Sequence, residues 1–279
     1  MSFYLKLRER LKDILNENEL NLLPRSYQIV GKILLLKLKP GILKHKKIIG
    51  TAIIEILPYI KTACLQKQIF DKERKPDVEV IAGKESFITL HRENGCLFEI
   101  DVSKSMFSKG NKAEKVRLAS LIKPGETVID MFAGIGYWTI PVAKTTKAKK
   151  IFAIDINDEA ADFLEKNVLL NNVSMKVDIL KGDCRNFIDL LENAADRIIM
   201  GYLFGTEKFL PAALKMAKGG CTIHFHRNVE MEKIEILKKN IAETAEKSGC
   251  EIEFIHIGKV KSYAPKIWHI VMDLKVQKR

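Results

Sequence analysis

The sequence predicts an α/β protein: a mostly parallel sheet with an antiparallel final strand, preceded by a small α+β module. Three observations predict it. The stretch from Thr127 to Asn157 reads as strand, glycine turn, helix, strand and acid, in about the length of one βαβ unit. Beyond Asp155, short apolar runs keep alternating with helix-length segments as far as Ser248. The last two apolar runs, Glu251–Ile257 and Trp268–Leu274, have only a Tyr263-Ala264-Pro265 turn between them, which marks a strand pair closing the sheet. We place residues 1–105 in the amino-terminal module and 106–279 in the Rossmann-type domain.

Taken in order, residues 1–20 carry Leu5, Leu7, Leu11, Ile14 and Leu15 on an imperfect helical face. Leu23-Pro24-Arg25-Ser26-Tyr27 turns the chain into a strand at Ile29–Leu38, interrupted at Gly31 and Lys32. Ile48–Gln66 reads as a helix that Pro58 kinks or bounds. A charged link, Asp71–Pro76, precedes strands at Val78–Ala82 and Ser86–His91, and Glu93-Asn94-Gly95 is a hairpin turn returning through Cys96–Val102. Met106 to Asn111 forms a hinge. Asn111 with Glu114 three residues on resembles a capping box opening a helix to Ile122.

The sheet domain then begins. Lys123-Pro124-Gly125-Glu126 leads into the strand ending at Asp130, and a second strand, Ile151–Ile154, ends at Asp155. Helices at Glu159–Leu170, Phe187–Asn193, Thr206–Ala217 and Glu230–Ser248 alternate with strands at Lys176–Leu180, Arg197–Met200 and Cys221–Phe225.

Composition narrows the function. The chain has 279 residues, 47% hydrophobic and 29% charged, which suits a soluble globular protein with ample core. No apolar run nears the roughly 18 residues of a membrane span, and the amphipathic start MSFYLKLRERLKDIL lacks a signal-peptide core, so no membrane partner and a cytoplasmic location are expected. Five widely spaced cysteines without a C-x-x-C pair support neither a zinc site, nor a disulfide framework, nor a radical-type iron–sulfur cluster. No metal is expected. A net charge of +12 suits a protein that meets a polyanion. Six lysines and no acid lie between Lys32 and Lys47; they form either a solvated face or a track for phosphates.

The pattern D-x-F-A-G-x-G over Asp130–Gly136, with Asp155 downstream, resembles the first two motifs of class I S-adenosylmethionine-dependent transferases, and implies a class I methyltransferase-like fold with that cofactor. In such sheets the ligand lies beyond the carboxyl ends of the strands. The loop Asp130, Phe132, Ala133, Gly134 and Gly136 would pass under the methionine moiety, its glycines letting the backbone come close. Asp155, with Ile156 beside it, would hold the ribose. Asp183 would accept from the adenine amino group while the Cys184 amide donates to a ring nitrogen, and Asp183 also suits a helix N-cap.

The fourth strand end reads Met200-Gly201-Tyr202-Leu203. Enzymes that methylate base nitrogens usually carry Asn or Asp followed by prolines there, to grip the nitrogen being alkylated. Without that clamp, another of the three electrophilic carbons of the sulfonium can be presented in line.

Together with Phe107-Ser108, Asn111, Glu114, Lys115, Arg117, ADRIIMGYL, IHFH and the terminal YAP-x-x-WH, these motifs resemble the archaeal wyosine-pathway tRNA aminocarboxypropyltransferases, relatives of the tRNA guanosine-37 N1-methyltransferases. The resemblance covers roughly residues 24–275. It implies transfer of the 3-amino-3-carboxypropyl group of S-adenosylmethionine to carbon 7 of 4-demethylwyosine, beside the anticodon of tRNA(Phe). The alternatives are guanosine-37 methylation and an RNA-binding module with a vestigial pocket.

Family cofactor contacts fall on Ser108, Lys115, Asp155, Asp183 and Cys184; relatives often carry Arg and Glu at positions 115 and 155. Tyr202, His224 and His226 are candidates to orient the base or relay its proton, and period-2 spacing puts both histidines on one strand face. The tRNA backbone would lie along the lysine track, Lys259 and Lys261. A monomer is expected.

Overall fold

The computed structural model describes residues 1–67, 76–105 and 111–279. Most of the expected charged link at Asp71–Pro76, and the hinge from Met106 to Gly110 with Ser108, lie outside the described residues. The chain forms two compact units, Met1–Arg92 with Leu97–Phe107, and Glu93–Cys96 with Ser108–Arg279.

In the first unit the expected helix over 1–20 comes as two, α1 (Phe3–Leu11) and α2 (Glu17–Asn21). Asn16 causes the restart. Its side chain accepts from the Glu19 amide while Glu19 answers the Asn16 amide, a capping box that satisfies two otherwise orphaned donors. A hairpin follows, β1 (Gln28–Val30) and β2 (Ile33–Leu36), divided at Gly31 and Lys32 as the sequence suggests.

A 3₁₀ turn at Pro40–His45 leads into α3 (Lys46–Ile56). Here the expectation of one helix over Ile48–Gln66 fails. The helix stops before Pro58, which disfavours the helical conformation in the residue ahead of it, and Thr62–Gln66 becomes β3, parallel to β2. β4 (Val78–Gly83) completes a sheet of order β1-β2-β3-β4. α1 and α3 close over it through Leu7, Leu11, Ile49 and Ile53 against Leu34 and Ala63, all buried. Each fully buried leucine or isoleucine contributes about 1.5–3 kcal/mol. A separate ribbon, β5 (Ile88–Glu93) and β6 (Cys96–Asp101), turns at Asn94 and Gly95, both at positive φ as that two-residue turn requires.

Of the lysine track, Lys44 pairs with Glu19 and Lys46 with Glu79, whereas Lys32, Lys37, Lys39 and Lys47 stand exposed.

The second unit opens with α4 (Lys112–Leu121). The expected capping box at Asn111 does not form: Glu114 forks onto the Arg117 guanidinium at 2.7 and 2.8 Å instead. A charge-assisted pair outcompetes a neutral amide. The alternation that follows is β7 (Thr127–Asp130), α5 (Thr139–Thr145), β8 (Lys150–Asp155), α6 (Asp158–Leu170), β9 (Val177–Lys181), α7 (Ile188–Leu191), β10 (Ala195–Met200), α8 (Leu210–Met216), β11 (Ala217–Glu230) and α9 (Ile234–Lys247). β12 (Cys250–Ala264) and β13 (Ile267–Lys278) form the closing hairpin. β11 is longer than the expected strand at Cys221–Phe225 and takes in Gly219 and Gly220.

The sheet order is β12-β13-β11-β10-β7-β8-β9. Every neighbour pair is parallel except those made by β13, which is antiparallel to both β11 and β12. The final strand is therefore antiparallel, as expected, but it inserts inside the sheet and leaves β12 at the edge. Its composition explains this: Ile270, Val271, Met272 and Leu274 are all buried, the near-continuous apolar run of a strand covered on both faces. Strand order reverses between β7 and β10, which fixes where a ligand crevice forms.

Candidate functional site

β7 ends in Asp130, which is fully buried. It accepts from the Thr139 hydroxyl at 2.7 Å and from the Phe132 amide at 3.4 Å, and burial pushes its pKa up to about 7. Asp130 therefore shapes the loop from within rather than facing a ligand. The Ala133 amide donates to Ile154 O at 2.9 Å, hanging the loop on β8. Gly134 and Gly136 both have positive φ, and at Gly136 a Cβ would fall 2.6 Å from Ile140 and 2.9 Å from Leu164.

At the end of β8, Asp155 takes the Gly134 amide on one carboxylate oxygen (2.6 Å) and the Asn157 amide on the other (2.9 Å). Burial raises its pKa against the pull of these two amides. Each oxygen keeps a second lone pair, which is what two adjacent hydroxyls need. Ile156 beside it is 71% exposed, an apolar side chain at the rim with a free face for a planar ring.

At the end of β9, Asp183 caps the next turn by accepting from the Arg185 amide at 2.9 Å. The Arg185 guanidinium forks onto the same carboxylate and holds its pKa below the usual range. Cys184 is buried and burial pushes its thiol up to about 12, so it stays protonated at neutral pH. Asp155, Ile156 and Asp183 thus stand at the carboxyl edge of adjacent strands with donors and acceptors suited to a nucleoside. The donor set fits S-adenosylmethionine.

Lys115 is buried, 2.7 Å from Glu93 and 5.5 Å from the centre of the Tyr137 ring. Burial lowers its pKa while Glu93 opposes the shift. The sequence pointed to the lysine but not to its acidic partner, which is the last residue of β5. Ser108 lies outside the described residues.

The fourth strand end contains a feature that the sequence could not show. A Cβ on Gly201 would lie 2.6 Å from Trp138 Nε1, so the indole occupies the space where a side-chain clamp would begin. Tyr202 follows, 44% exposed, with its ring 5.4 Å from that of Phe132.

His224 and His226 do share one face of β11, and both are fully buried. His224 has no nitrogen to spare. Its Nε2 lies 2.8 Å from Arg197, which can only donate, so Nε2 accepts and Nδ1 carries the proton toward Asp273 at 2.6 Å. Arg117 forks onto Asp273, and Arg197 onto Glu126. The result is a buried ladder binding α4 to the sheet, which removes His224 from the proton-relay candidates. Burial lowers the pKa of His224, while the paired Arg117 and His224 hold Asp273 far below the carboxylate range.

His226 stacks on Trp138 at 4.9 Å and meets His269 at 3.0 Å. Burial holds its pKa well below the usual value and that of His269 to about 4, so both are neutral at pH 7. His226 is thus joined to the site through Trp138 and is not open to it.

A cavity of about 810 Å³ opens at the opposite, amino edge of the sheet among Arg117, Glu126, Arg197 and Asp273. These four are already engaged in the ladder, and the cavity lies away from the strand ends that gather the nucleoside-binding groups.

Two family models match the chain: the TRM5/TYW2 methyltransferase domain over residues 89–253 and the TYW2 N-terminal domain over residues 7–86. A Pyrococcus horikoshii protein, tRNA(Phe) (4-demethylwyosine(37)-C(7)) aminocarboxypropyltransferase, is 39% identical over 98% of this chain and 97% of its own. The tRNA (guanine(37)-N(1))-methyltransferase Trm5b of Pyrococcus abyssi is 35% identical over 91% of this chain and 76% of its own. Among solved structures, P. horikoshii TYW2 in complex with MeSAdo superposes with a TM-score of 0.89 at 37% identity, covering 99% of this chain and all of that one.

Proposed function

The chain belongs to the TRM5/TYW2 family, and from that premise we propose that it transfers the 3-amino-3-carboxypropyl group of S-adenosylmethionine to carbon 7 of 4-demethylwyosine at position 37 of tRNA(Phe), in the formation of wyosine derivatives. The observation that carries this reading is the correspondence with the aminocarboxypropyltransferase over nearly the whole chain, amino-terminal module included. Gly201 supplies a physical counterpart. The place where a methyltransferase would hold a base nitrogen has no side chain, and Trp138 fills the room for one.

Asp155 would hold the ribose hydroxyls, Asp183 the adenine amino group and the Cys184 amide a ring nitrogen, with Ile156 against the adenine. Phe132, Ala133, Gly134 and Gly136 would pass beneath the amino-acid arm, with Asp130 fixing the loop from below. Lys115 and Ser108 would face the carboxylate of that arm, Lys115 sharing its charge with Glu93. When bound, S-adenosylmethionine supplies an electrophilic carbon next to a cationic sulfur. These residues set which carbon faces the entrance, and orientation is the chief lever on such a displacement. Carbon 7 of the base would form the new bond as the bond from the carboxypropyl carbon to sulfur breaks; the electron pair would leave with sulfur as a neutral thioether, and carbon 7 would then lose its proton to solvent. Tyr202, at the entrance, is the hydroxyl best placed to orient the base. No covalent enzyme intermediate is needed.

The exposed lysines of the track, with Lys259 and Lys261 on β12, would carry the phosphates of the anticodon region. We read the protein as a monomer acting in the cytoplasm. All five cysteines are free and buried, in keeping with a reducing compartment, and no helix among the described residues is long and apolar enough to cross a membrane.

The test uses cofactor labelled separately in its methyl and its carboxypropyl carbons, incubated in parallel with tRNA(Phe) carrying the wyosine precursor and with tRNA(Phe) carrying guanosine at position 37. Carboxypropyl label is expected in the tRNA. Label arriving only from the methyl group would replace this reading with guanosine-37 methylation.

A further inference from the structure

We propose that an aromatic shelf at the carboxyl edge of the sheet is a stacking site for the unpaired base of the RNA substrate. The inference rests on the reading of an enzyme that acts on an RNA base. The rings of the shelf form a chain of contacts, with Phe132 and Tyr202 tilted by 33° and the next two pairs edge to face. Phe132, in the loop after β7, lies 5.4 Å from Tyr202, after β10; Tyr202 is 6.5 Å from Phe204; and Phe204 is 5.8 Å from Tyr263 near the tip of the β12–β13 hairpin. Phe209 stands behind, 5.0 Å from Phe132 and 6.2 Å from Tyr202, both edge to face.

The outer rings are open to water. Tyr202 is 44% and Phe204 40% exposed, although each could stabilise the fold more by being buried. They are also held in place. The Asn228 amide donates to Leu203 O at 3.3 Å, tying the loop between the two rings to β11. Arg185 lies 5.0 Å over Phe209 and braces the back of the cluster. A braced aromatic cluster whose Tyr202 and Phe204 rings are partly open to solvent is a preformed site for a planar base.

Position and charge select the occupant. The shelf starts in the cofactor loop at the point where strand order reverses, so a base lying on it is beside the reacting carbon. Its far end reaches the hairpin that carries Lys259, whose ammonium lies 4.7 Å over Trp268, and the exposed Lys266. A chain of net charge +12 brings a polyanion to that edge. Polyanion backbone with a planar, unpaired base is single-stranded nucleic acid, and stacking on aromatic side chains is how proteins hold such a base.

The test needs no turnover. The probes are two RNA hairpins with the anticodon stem-loop sequence of tRNA(Phe), one with guanosine at position 37 and one abasic there. The wild-type protein is expected to prefer the base-bearing hairpin by about tenfold, the order of one base–aromatic stack. Tyr202→Ala with Phe204→Ala is expected to abolish that preference while leaving affinity for the abasic hairpin and for S-adenosylmethionine unchanged. Tyr202→Phe, which keeps the ring and loses the hydroxyl, is expected to retain it. If the double variant fails to bind S-adenosylmethionine, Tyr202→Leu and Phe204→Leu, which keep apolar volume, take its place.

Equal wild-type binding of the two hairpins, or a preference that survives loss of the rings, overturns the shelf. A ring-dependent preference in a protein that transfers no carboxypropyl group supports the shelf and overturns the proposed reaction.

Discussion

Trp138 and Gly201 exclude one another's alternatives: the indole nitrogen lies 2.6 Å from where the first side-chain atom at position 201 would stand. The loop after β10 is glycine because the residue opening α5 is tryptophan. Trp138 in turn stacks on His226, so the indole cannot swing away without uncovering a buried histidine. Gly201→Asn, which restores a nitrogen clamp in sequence, is therefore expected to destabilise the protein by about 1–3 kcal/mol through overpacking. Trp138→Phe, whose smaller ring vacates that space, is expected to recover part of the loss in the double variant. Chemical denaturation of the four proteins of this cycle checks it; additive effects would contradict the steric account.

Asp130 gives a stability slope of definite sign. Its folded pKa, about 7, lies above the ordinary carboxylate value, so the folded protein holds a proton that the unfolded chain releases. Stability from this group is full below about pH 4 and falls as pH rises toward 7. Asp130→Asn keeps the acceptor for Thr139 and removes the titration. The variant is expected to lose that part of the slope and to gain stability at pH 8 relative to wild type, on the order of a few kcal/mol at most. Urea unfolding of both proteins from pH 5 to 8 measures it.

Lys115 and Glu93 form a buried pair, so removing one partner strands the other. Lys115→Met alone is expected to cost about 3–5 kcal/mol, and Lys115→Met with Glu93→Gln to recover much of it. Affinity for S-adenosylmethionine separates packing from binding. If Lys115 grips the amino-acid arm, the double variant folds well and still binds cofactor weakly in calorimetry. Full affinity in the double variant would assign the lysine to structure alone.

The lysine track divides by pairing. Lys44 and Lys46 already answer Glu19 and Glu79, whereas Lys32, Lys37 and Lys39 are exposed. Replacing the latter three with glutamine is expected to weaken tRNA(Phe) binding and flatten its dependence on salt. Replacing Lys44 and Lys46 should do so less. Each phosphate that a lysine no longer neutralises reduces the slope of log K against log salt by about one. Filter binding across a salt series reads it, and equal effects from the two sets would make the track a solvated face.

Much of this molecule was legible one residue at a time. The alternation after Thr127, the acids ending β7 and β8, the glycines at positive φ and the Asn94-Gly95 turn are local statements, because the period of a strand and the φ of a tight turn are set within a few residues. The same local reading put a capping box at Asn111 where none forms, and, though it marked Pro58 as a kink or boundary, assigned the segment beyond it to helix where the structure has β3. Glu114 had a better partner in Arg117, and Thr62–Gln66 found a place beside β2. Neither competitor is visible from the segment itself.

The sequence by itself determined the alternation of the sheet domain, the carboxyl-edge acids and the missing nitrogen clamp. Tertiary structure alone decided what each polar group is free to do. His224 and His226 look alike on the chain, yet one is locked between Arg197 and Asp273 and the other stacked on Trp138 beside His269. Availability for chemistry depends on lone pairs and protons left over after burial, and those are fixed by residues far apart in the chain. Phe132, Tyr202, Phe204 and Tyr263 become one cluster for the same reason: two strand ends and a hairpin tip converge only once the sheet has formed.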